Sequence, residues 1–155
     1  MKKLLTNTLL FPGILTHELA HYLMCKILNV EVTKFKVSIT KQSGFVEHVV
    51  PKSIIKSLII STGPLTISII LSFILLNTEP PNTLLRLVSY YLAFTILYNS
   101  LPSKEDTNFH KHHTLIKKIL TYPAFIIFRL IHLLNKNNNT KTIYTLIIMI
   151  ILTTT

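Results

Sequence analysis

Apolar residues fall in long runs separated by short polar segments, a pattern typical of helices that cross a membrane. The run 57–76 contains no charged residue. At about 1.5 Å rise per residue, a helix of this length matches the hydrocarbon thickness of a bilayer. We predict transmembrane helices over 4–28, 54–76 and 83–101 from these runs.

Between the first two runs the pattern changes to a period of two. Residues 30–39 alternate between apolar and polar, with a slip in phase near Thr33 and Lys34, as in a strand with a bulge. Residues 41–44 have the composition of a turn, and the apolar residues after them supply a return strand. The segment 30–51 is therefore predicted to form a β-hairpin at or just within the membrane boundary.

Two further apolar segments follow, and the pattern leaves open whether they span. Residues 115–135 include lysines, an arginine and a proline, which fits either a flawed span or a helix in the membrane interface. Residues 143–152 are short for a full crossing. We predict one integral-membrane domain over 1–155, mainly α-helical, with three to five transmembrane helices and a small β-hairpin after the first.

Composition supports this interpretation: 49% of the residues are hydrophobic and 14% are charged, which is more apolar than a water-soluble core requires. The net charge of +10 does not indicate nucleic-acid binding, because most lysines lie in loops between apolar runs, where they contact anionic lipid headgroups. Six lysines lie between the first two helices or at the helix ends beside this loop, and more follow the third helix, so the positive-inside rule makes these loops cytoplasmic.

Two features of the N-terminal part bear on processing and on disulfides. The first apolar run is interrupted by polar residues at 6–8, and we expect it to be retained rather than removed as a signal peptide. Cys25 is the only cysteine, so an intrachain disulfide cannot form.

The first predicted helix contains the sequence His17-Glu18-Leu19-Ala20-His21. A spacing of four places both imidazoles on one helix face, where they can bind one Zn²⁺ at about 2.0–2.1 Å. Glu18 lies beside them and can take a proton from water, whose pKa a catalytic zinc lowers to about 7. Ionisable groups in an apolar span are costly without partners. We predict a site for one Zn²⁺ with His17 and His21 as ligands and Glu18 as general base.

A hydrolytic zinc site has three protein ligands and an open position for water, so a third ligand must lie elsewhere in the chain. The side chains able to serve are Cys25, His48, Glu105, Asp106, His110, His112 and His113. Cys25 lies one turn beyond His21, but a thiolate there favours a closed structural site, and we assign it to helix packing. Spacing alone leaves the others open.

Four features occur in the order found in the site-2 protease group of intramembrane metalloproteases, which this chain resembles. They are the motif at 17–21, the hairpin over 30–51, the pair Gly63-Pro64, and Asn-Ser-Leu-Pro at 99–102 followed by Asp106. The resemblance covers about residues 4–107 and implies a catalytic core there, with 115–155 as additional membrane-associated helices. It also implies that Gly63 and Pro64 let the second helix approach the motif helix.

The resemblance implies Asp106 as the third zinc ligand. The family pattern places the aspartate one residue later and follows it with glycine, whereas Asp106 stands four residues after Pro102 and precedes Thr107. Glu105 therefore remains the alternative ligand. Asn99 is implied to bind the substrate backbone or the developing oxyanion.

The expected activity is hydrolysis of peptide bonds within or near transmembrane segments of membrane proteins, at an active site on the cytoplasmic side. An edge strand of the hairpin would hold the unwound substrate as an added strand. The alternative is a membrane protein that binds or transports a metal ion without proteolysis, supplied by the histidines at 110–113.

Overall fold

The computed structural model describes residues 2–39, 43–104, 106 and 115–154, with the backbone alone described for 2–4, 115–121 and 128. Five helices and one hairpin follow along the chain as α1 (Lys2–Ile27), β1 (Val32–Ser38), β2 (Ser43–His48), α2 (Ile54–Asn77), α3 (Thr83–Tyr98), α4 (Leu115–Asn135) and α5 (Asn138–Thr154). This order confirms the predicted, mainly helical chain with a hairpin after its first helix.

Helix α1 continues through Pro12 and ends at a Schellman motif. Asn29 adopts a left-handed conformation with φ of 52°, which asparagine tolerates better than most residues. The N–H groups of Asn29 and Val30 then donate to the carbonyls of Lys26 and Cys25 at 3.1 and 2.8 Å. Val30 and Cys25 also pack together with Ile60 of α2, so the end of the motif helix is fixed against the second helix.

The hairpin contains the predicted slip in phase. Strands β1 and β2 are antiparallel, and their register shifts between Val32, which pairs with His48, and Lys34, which pairs with Glu47. This is a bulge at Thr33. Strand β2 already begins at Ser43, so the second half of the predicted turn belongs to the strand; residues 40–42 lie outside the described part of the chain.

Helix α2 buries small residues and exposes large apolar ones. Ser68 and Ser72 are almost fully buried, whereas Ile70, Phe73 and Ile74 are exposed. Gly63 lies where α2 meets α1, because a Cβ on Gly63 would come within 2.6 Å of Met24 Cγ. Small residues permit such close approach of helices. Ile54, Ile60 and Leu76 are buried as well, so the packed positions of α2 hold both small and large residues.

The third and fifth helices complete the bundle around α1 and α2. Gly13 of α1 touches α3 so closely that a Cβ there would overlap the backbone carbonyl of Thr95. Helix α3 ends at Tyr98, with Asn99 as its C-cap, three residues before the predicted boundary. Helix α5 packs on α2 and α3. Helix α4 packs mainly on α5.

Among the described residues, α2 is the one helix both long and apolar enough to cross a bilayer. Of its most apolar 18-residue stretch, 28% is buried inside the protein. Helix α3 and the part of α4 from Tyr122 to Asn135 are apolar but shorter. The predicted three to five crossings stay a prediction.

Candidate metal centre

Each motif histidine is oriented by a backbone carbonyl from a neighbouring helix. His17 Nδ1 lies 2.7 Å from the carbonyl oxygen of Asn99, which caps α3, and His21 Nδ1 lies 2.9 Å from that of Ile60 in α2. A carbonyl can only accept, so each Nδ1 carries a proton, and in a neutral imidazole Nε2 then keeps its lone pair. Outer hydrogen bonds of this kind select the tautomer and orientation of metal-binding histidines.

Both Nε2 atoms face the carboxylate of Asp106. His21 Nε2 lies 2.9 Å from Asp106 Oδ1, and His17 Nε2 lies 3.4 Å from Asp106 Oδ2. One ligand atom from each residue lies within 4.8 Å of the others. The structure therefore assembles a His-His-Asp group within metal-binding distance, from two segments that are far apart in sequence.

The protonation pattern of this group favours a bound cation. With Nδ1 protonated, a neutral imidazole turns its Nε2 lone pair towards the negative carboxylate, and the two repel unless a proton or a metal ion lies between them. Extra protons would create two adjacent imidazolium ions at histidines that are 9% and 8% exposed. One cation satisfies all three ligands, so the donor set fits a metal ion.

The donor set limits the identity of the metal without selecting one. Ligand atoms about 2.1 Å from a tetrahedral zinc lie about 3.4 Å apart; the distance from His17 Nε2 to Asp106 Oδ2 is 3.4 Å, and that from His21 Nε2 to Asp106 Oδ1 is shorter, at 2.9 Å. Two histidines and one carboxylate suit a zinc site with an open position, and the same set also binds Fe(II). Zinc is therefore part of the proposal below.

Asp106 is oriented by its own short loop. The N–H of Ser103 donates to Asp106 Oδ2 at 2.7 Å, and the N–H of Asp106 donates to Ser103 Oγ at 3.2 Å. Burial opposes the charged carboxylate, but while no metal ion is bound, hydrogen bonds and positive charge from protonated His17 and His21 outweigh burial and hold the pKa of Asp106 well below its usual range. Asp106 is thus prepared to act as a carboxylate ligand.

Glu18 lies next to the two histidines and against the hairpin. Its side chain is buried, with 8% exposure. Gly44 of β2 leaves the space that it occupies, because a Cβ on Gly44 would overlap Glu18 Cγ and lie 2.8 Å from Cδ. The absence of a side chain at Gly44 therefore lets Glu18 fit between the motif helix and the strand.

A cavity of about 640 Å³ opens beside this group. One wall is formed by the motif side chains and Asp106, and another by strand β2 with the residues that follow it. Ser57, Ile60 and Ser61 of α2 line a further part. The cavity is therefore large enough for a peptide segment, and an edge of the hairpin runs along it.

The structure distinguishes the other candidates for the third ligand by their positions. Cys25 is fully buried and packs with Val30 and Ile60, as expected of a packing residue. His48 lines the cavity but is not part of the three-residue group; its Nδ1 lies 3.0 Å from the carbonyl oxygen of Val49. Glu105 and the histidines at 110–113 lie outside the described residues.

Asn99 is used within the protein. Its side-chain amide donates to the carbonyls of Thr95 at 2.9 Å and Leu10 at 3.4 Å, which joins α3 to α1. It does not line the cavity. The structure thus shows Asn99 packing helices and orienting His17 through its carbonyl. The expected contact of its amide with substrate stays a prediction and would require these two bonds to open.

Sequence reasoning missed Ile60, Ser103 and Gly44. The Ile60 carbonyl and the Ser103 N–H act through the backbone, so their residue types carry no signal. The residue type of Gly44 is such a signal, since a glycine within a strand often marks close approach of another group. The sequence pattern places Gly44 in the predicted turn instead.

No protein-family model, curated protein or solved structure matches this chain.

Proposed function

We propose that this chain is a zinc metalloprotease that cuts peptide bonds within or near the transmembrane segments of other membrane proteins. One observation carries the proposal: two backbone carbonyls turn His17 and His21 so that both Nε2 atoms meet the Asp106 carboxylate. This is the ligand set of a hydrolytic zinc site, and Glu18 stands beside it at the wall of a cavity.

The chemistry requires a metal and a base. Zinc held by the three ligands would supply a Lewis acid that acidifies water and polarises the scissile carbonyl. Glu18 accepts a proton from the attacking water, whose oxygen bonds to the carbonyl carbon. The C–N bond then breaks, and Glu18 passes its proton to the leaving nitrogen, giving a carboxylate and an amine.

The walls of the cavity support a peptide that unwinds from a helix as the substrate. A peptide bond in a helix has its carbonyl hydrogen-bonded, so the substrate must unwind before cleavage. Strand β2 lines the cavity together with Glu18, and its edge that is not paired with β1 can take an unwound segment as a further strand. Strand addition would hold the scissile carbonyl near the three ligands and replace the hydrogen bonds lost from the helix.

The membrane setting is part of the proposal. Its support is α2, which is long and apolar enough to span and turns its large apolar side chains outward. Exposed leucines and isoleucines on α3 and α5 extend this surface. We propose a multi-pass protein whose lysine-rich loops, and with them the active site, face the cytoplasm.

The test uses the purified full chain in mixed micelles with a panel of fluorescence-quenched single-span peptides. Zinc-loaded parent and Glu31→Gln, which removes an exposed carboxylate outside the site, should cleave at least one peptide, and a chelator should stop the reaction. Glu18→Gln should bind zinc like the parent and cleave about 10²–10⁴-fold more slowly. Cleavage by Glu18→Gln at the parental rate would contradict the proposal.

Failure of the zinc-loaded parent to cleave any peptide of the panel would also count against proteolysis. In that case vesicle uptake of Zn²⁺ by both the parent and Glu18→Gln would support metal transport instead. Transport does not need Glu18 as a base, so this variant separates the two functions.

A further inference from the structure

The peptide group that joins Pro102 to Ser103 is bonded at both of its polar ends. Its carbonyl oxygen accepts from His132 Nδ1 at 3.0 Å and from Asn135 Nδ2 at 3.1 Å, both on the last turn of α4. Its N–H donates to Asp106 Oδ2 at 2.7 Å. One planar unit therefore links α4 to the third ligand of the metal centre.

We propose that His132 and Asn135 are positioning residues for Asp106: they hold the 102–103 peptide group so that its N–H points at the carboxylate. This inference rests on the metal site of the proposed function. It gives α4, which lies outside the expected catalytic core of residues 4–107, a role in metal affinity.

The orientation of this peptide group matters because its two ends have opposite polarity. Since a peptide unit is planar, rotation about its flanking bonds moves the carbonyl and the N–H together. A half-turn would point the carbonyl of Pro102 at the carboxylate and replace a charge-assisted hydrogen bond with repulsion. Two donors on the carbonyl oppose that rotation.

Two carbonyls of this loop are bonded from α4. Up to Ser100, whose N–H donates to Leu97 O at 3.1 Å, the loop is bonded to the last turn of α3, whereas Pro102 lacks an N–H. The backbone carbonyls at 101 and 102 accept from Asn135 at 3.5 and 3.1 Å. Leu101 and Pro102 are buried, so loss of these donors would leave buried carbonyls without equivalent partners.

The variants remove the donors and keep side-chain volume. His132→Phe and Asn135→Leu each delete one donor, and His132→Asn restores one, because an asparagine amide nitrogen takes the place of Nδ1. Asn137→Asp is the matched control: Asn137 Oδ1 accepts from the N–H of Asn139 at 3.0 Å, and an aspartate can accept in the same way.

The readout is Zn²⁺ affinity of the purified full chain, measured by competition with a chromophoric chelator. His132→Phe and Asn135→Leu should each bind Zn²⁺ about 10–100-fold more weakly than the parent, the range found for outer hydrogen bonds to metal ligands. His132→Asn should recover most of the affinity lost in His132→Phe. Asn137→Asp should match the parent.

Double variants separate positioning from general destabilisation. In an Asp106→Ala background, Asn135→Leu should cause no further loss of affinity, because the ligand that it positions is gone. An equal loss with and without Asp106, or parental affinity in both donor deletions, would overturn the inference. A parent that binds no Zn²⁺ would overturn it together with the proposed function. A parent that binds Zn²⁺ through Asp106 but cleaves nothing would leave it standing.

Discussion

Replacing Gly44 with alanine tests whether the space beside Glu18 is needed for catalysis. The added Cβ would overlap Glu18 Cγ and lie 2.8 and 2.9 Å from Cδ and Oε1. Non-bonded carbon atoms prefer separations of about 3.5–4.0 Å, so the Glu18 side chain or the strand must shift by about 1 Å. The three heavy atoms nearest to the new Cβ all belong to Glu18.

The expected effect is loss of turnover with metal retained. A misplacement of about 1 Å at a reacting group costs on the order of 100-fold in rate, or about 2.7 kcal/mol in the activation free energy. We expect kcat of Gly44→Ala to fall by about this factor while Zn²⁺ content stays at the parental level.

The assay compares kcat and Zn²⁺ content of the parent, Gly44→Ala and Ser43→Ala, using the first panel peptide that the parent cleaves. Ser43→Ala adds no atoms at the neighbouring strand position and should behave like the parent. Parental kcat in Gly44→Ala would refute the reasoning, because the close contact would then have no catalytic consequence. Loss of Zn²⁺ from Gly44→Ala would also refute it, since the strand would then act on the ligands rather than on Glu18.

Three further predictions concern the ligands and the helix contacts. The parent should hold about one zinc ion per chain by mass spectrometry. His21→Ala and Asp106→Ala should hold much less, and Glu18→Gln should hold as much as the parent. Unchanged zinc content in the two alanine variants would contradict the proposed site. The folded-state pKa of Asp106 lies below its unfolded-state pKa of 3.8, so its carboxylate stabilises the fold above pH 3.8 and loses this effect as the pH falls through the folded-state pKa. The unfolding temperature of the metal-free parent should therefore depend more steeply on pH between about pH 4 and pH 2 than that of metal-free Asp106→Asn. The added methyl group of Gly13→Ala would meet the backbone of α3, whereas that of Gly63→Ala would meet a flexible methionine side chain. Gly13→Ala should therefore lower the free energy of unfolding by about 1–3 kcal/mol, and Gly63→Ala should lower it by less. Equal losses in the two variants would contradict this account.

Local pattern carried most of the secondary structure. Unbroken apolar runs predict the helices because the hydrogen bonds and side-chain contacts of a helix join residues only a few positions apart. The alternation over 30–39 even predicts the bulge at Thr33, since an extra residue in a strand leaves a slip in phase. The boundaries that were wrong, at Ser43, Tyr98 and Asn138, fall where a strand or helix meets a loop, and such ends depend on tertiary partners. The last helix begins at Asn138, five residues before the apolar run 143–152.

The HExxH motif by itself determined which helix face presents His17 and His21 and that Glu18 lies beside them, because helical geometry is set by sequence spacing. It could not determine what fixes the imidazoles. Their Nδ1 partners are the carbonyls of Asn99 and Ile60. Every residue has a carbonyl, so only packing of α1 against α2 and α3 decides which two are used.

The third ligand shows the same division. The sequence offers two adjacent carboxylates, at 105 and 106, with nearly equal chemistry. Among the described residues, the structure places the oxygens of Asp106 against both Nε2 atoms. That placement depends on the 102–103 peptide group and on donors from α4, about 30 residues further along the chain. Sequence spacing determined the two histidines, and contacts between distant segments decided the ligand that completes the site.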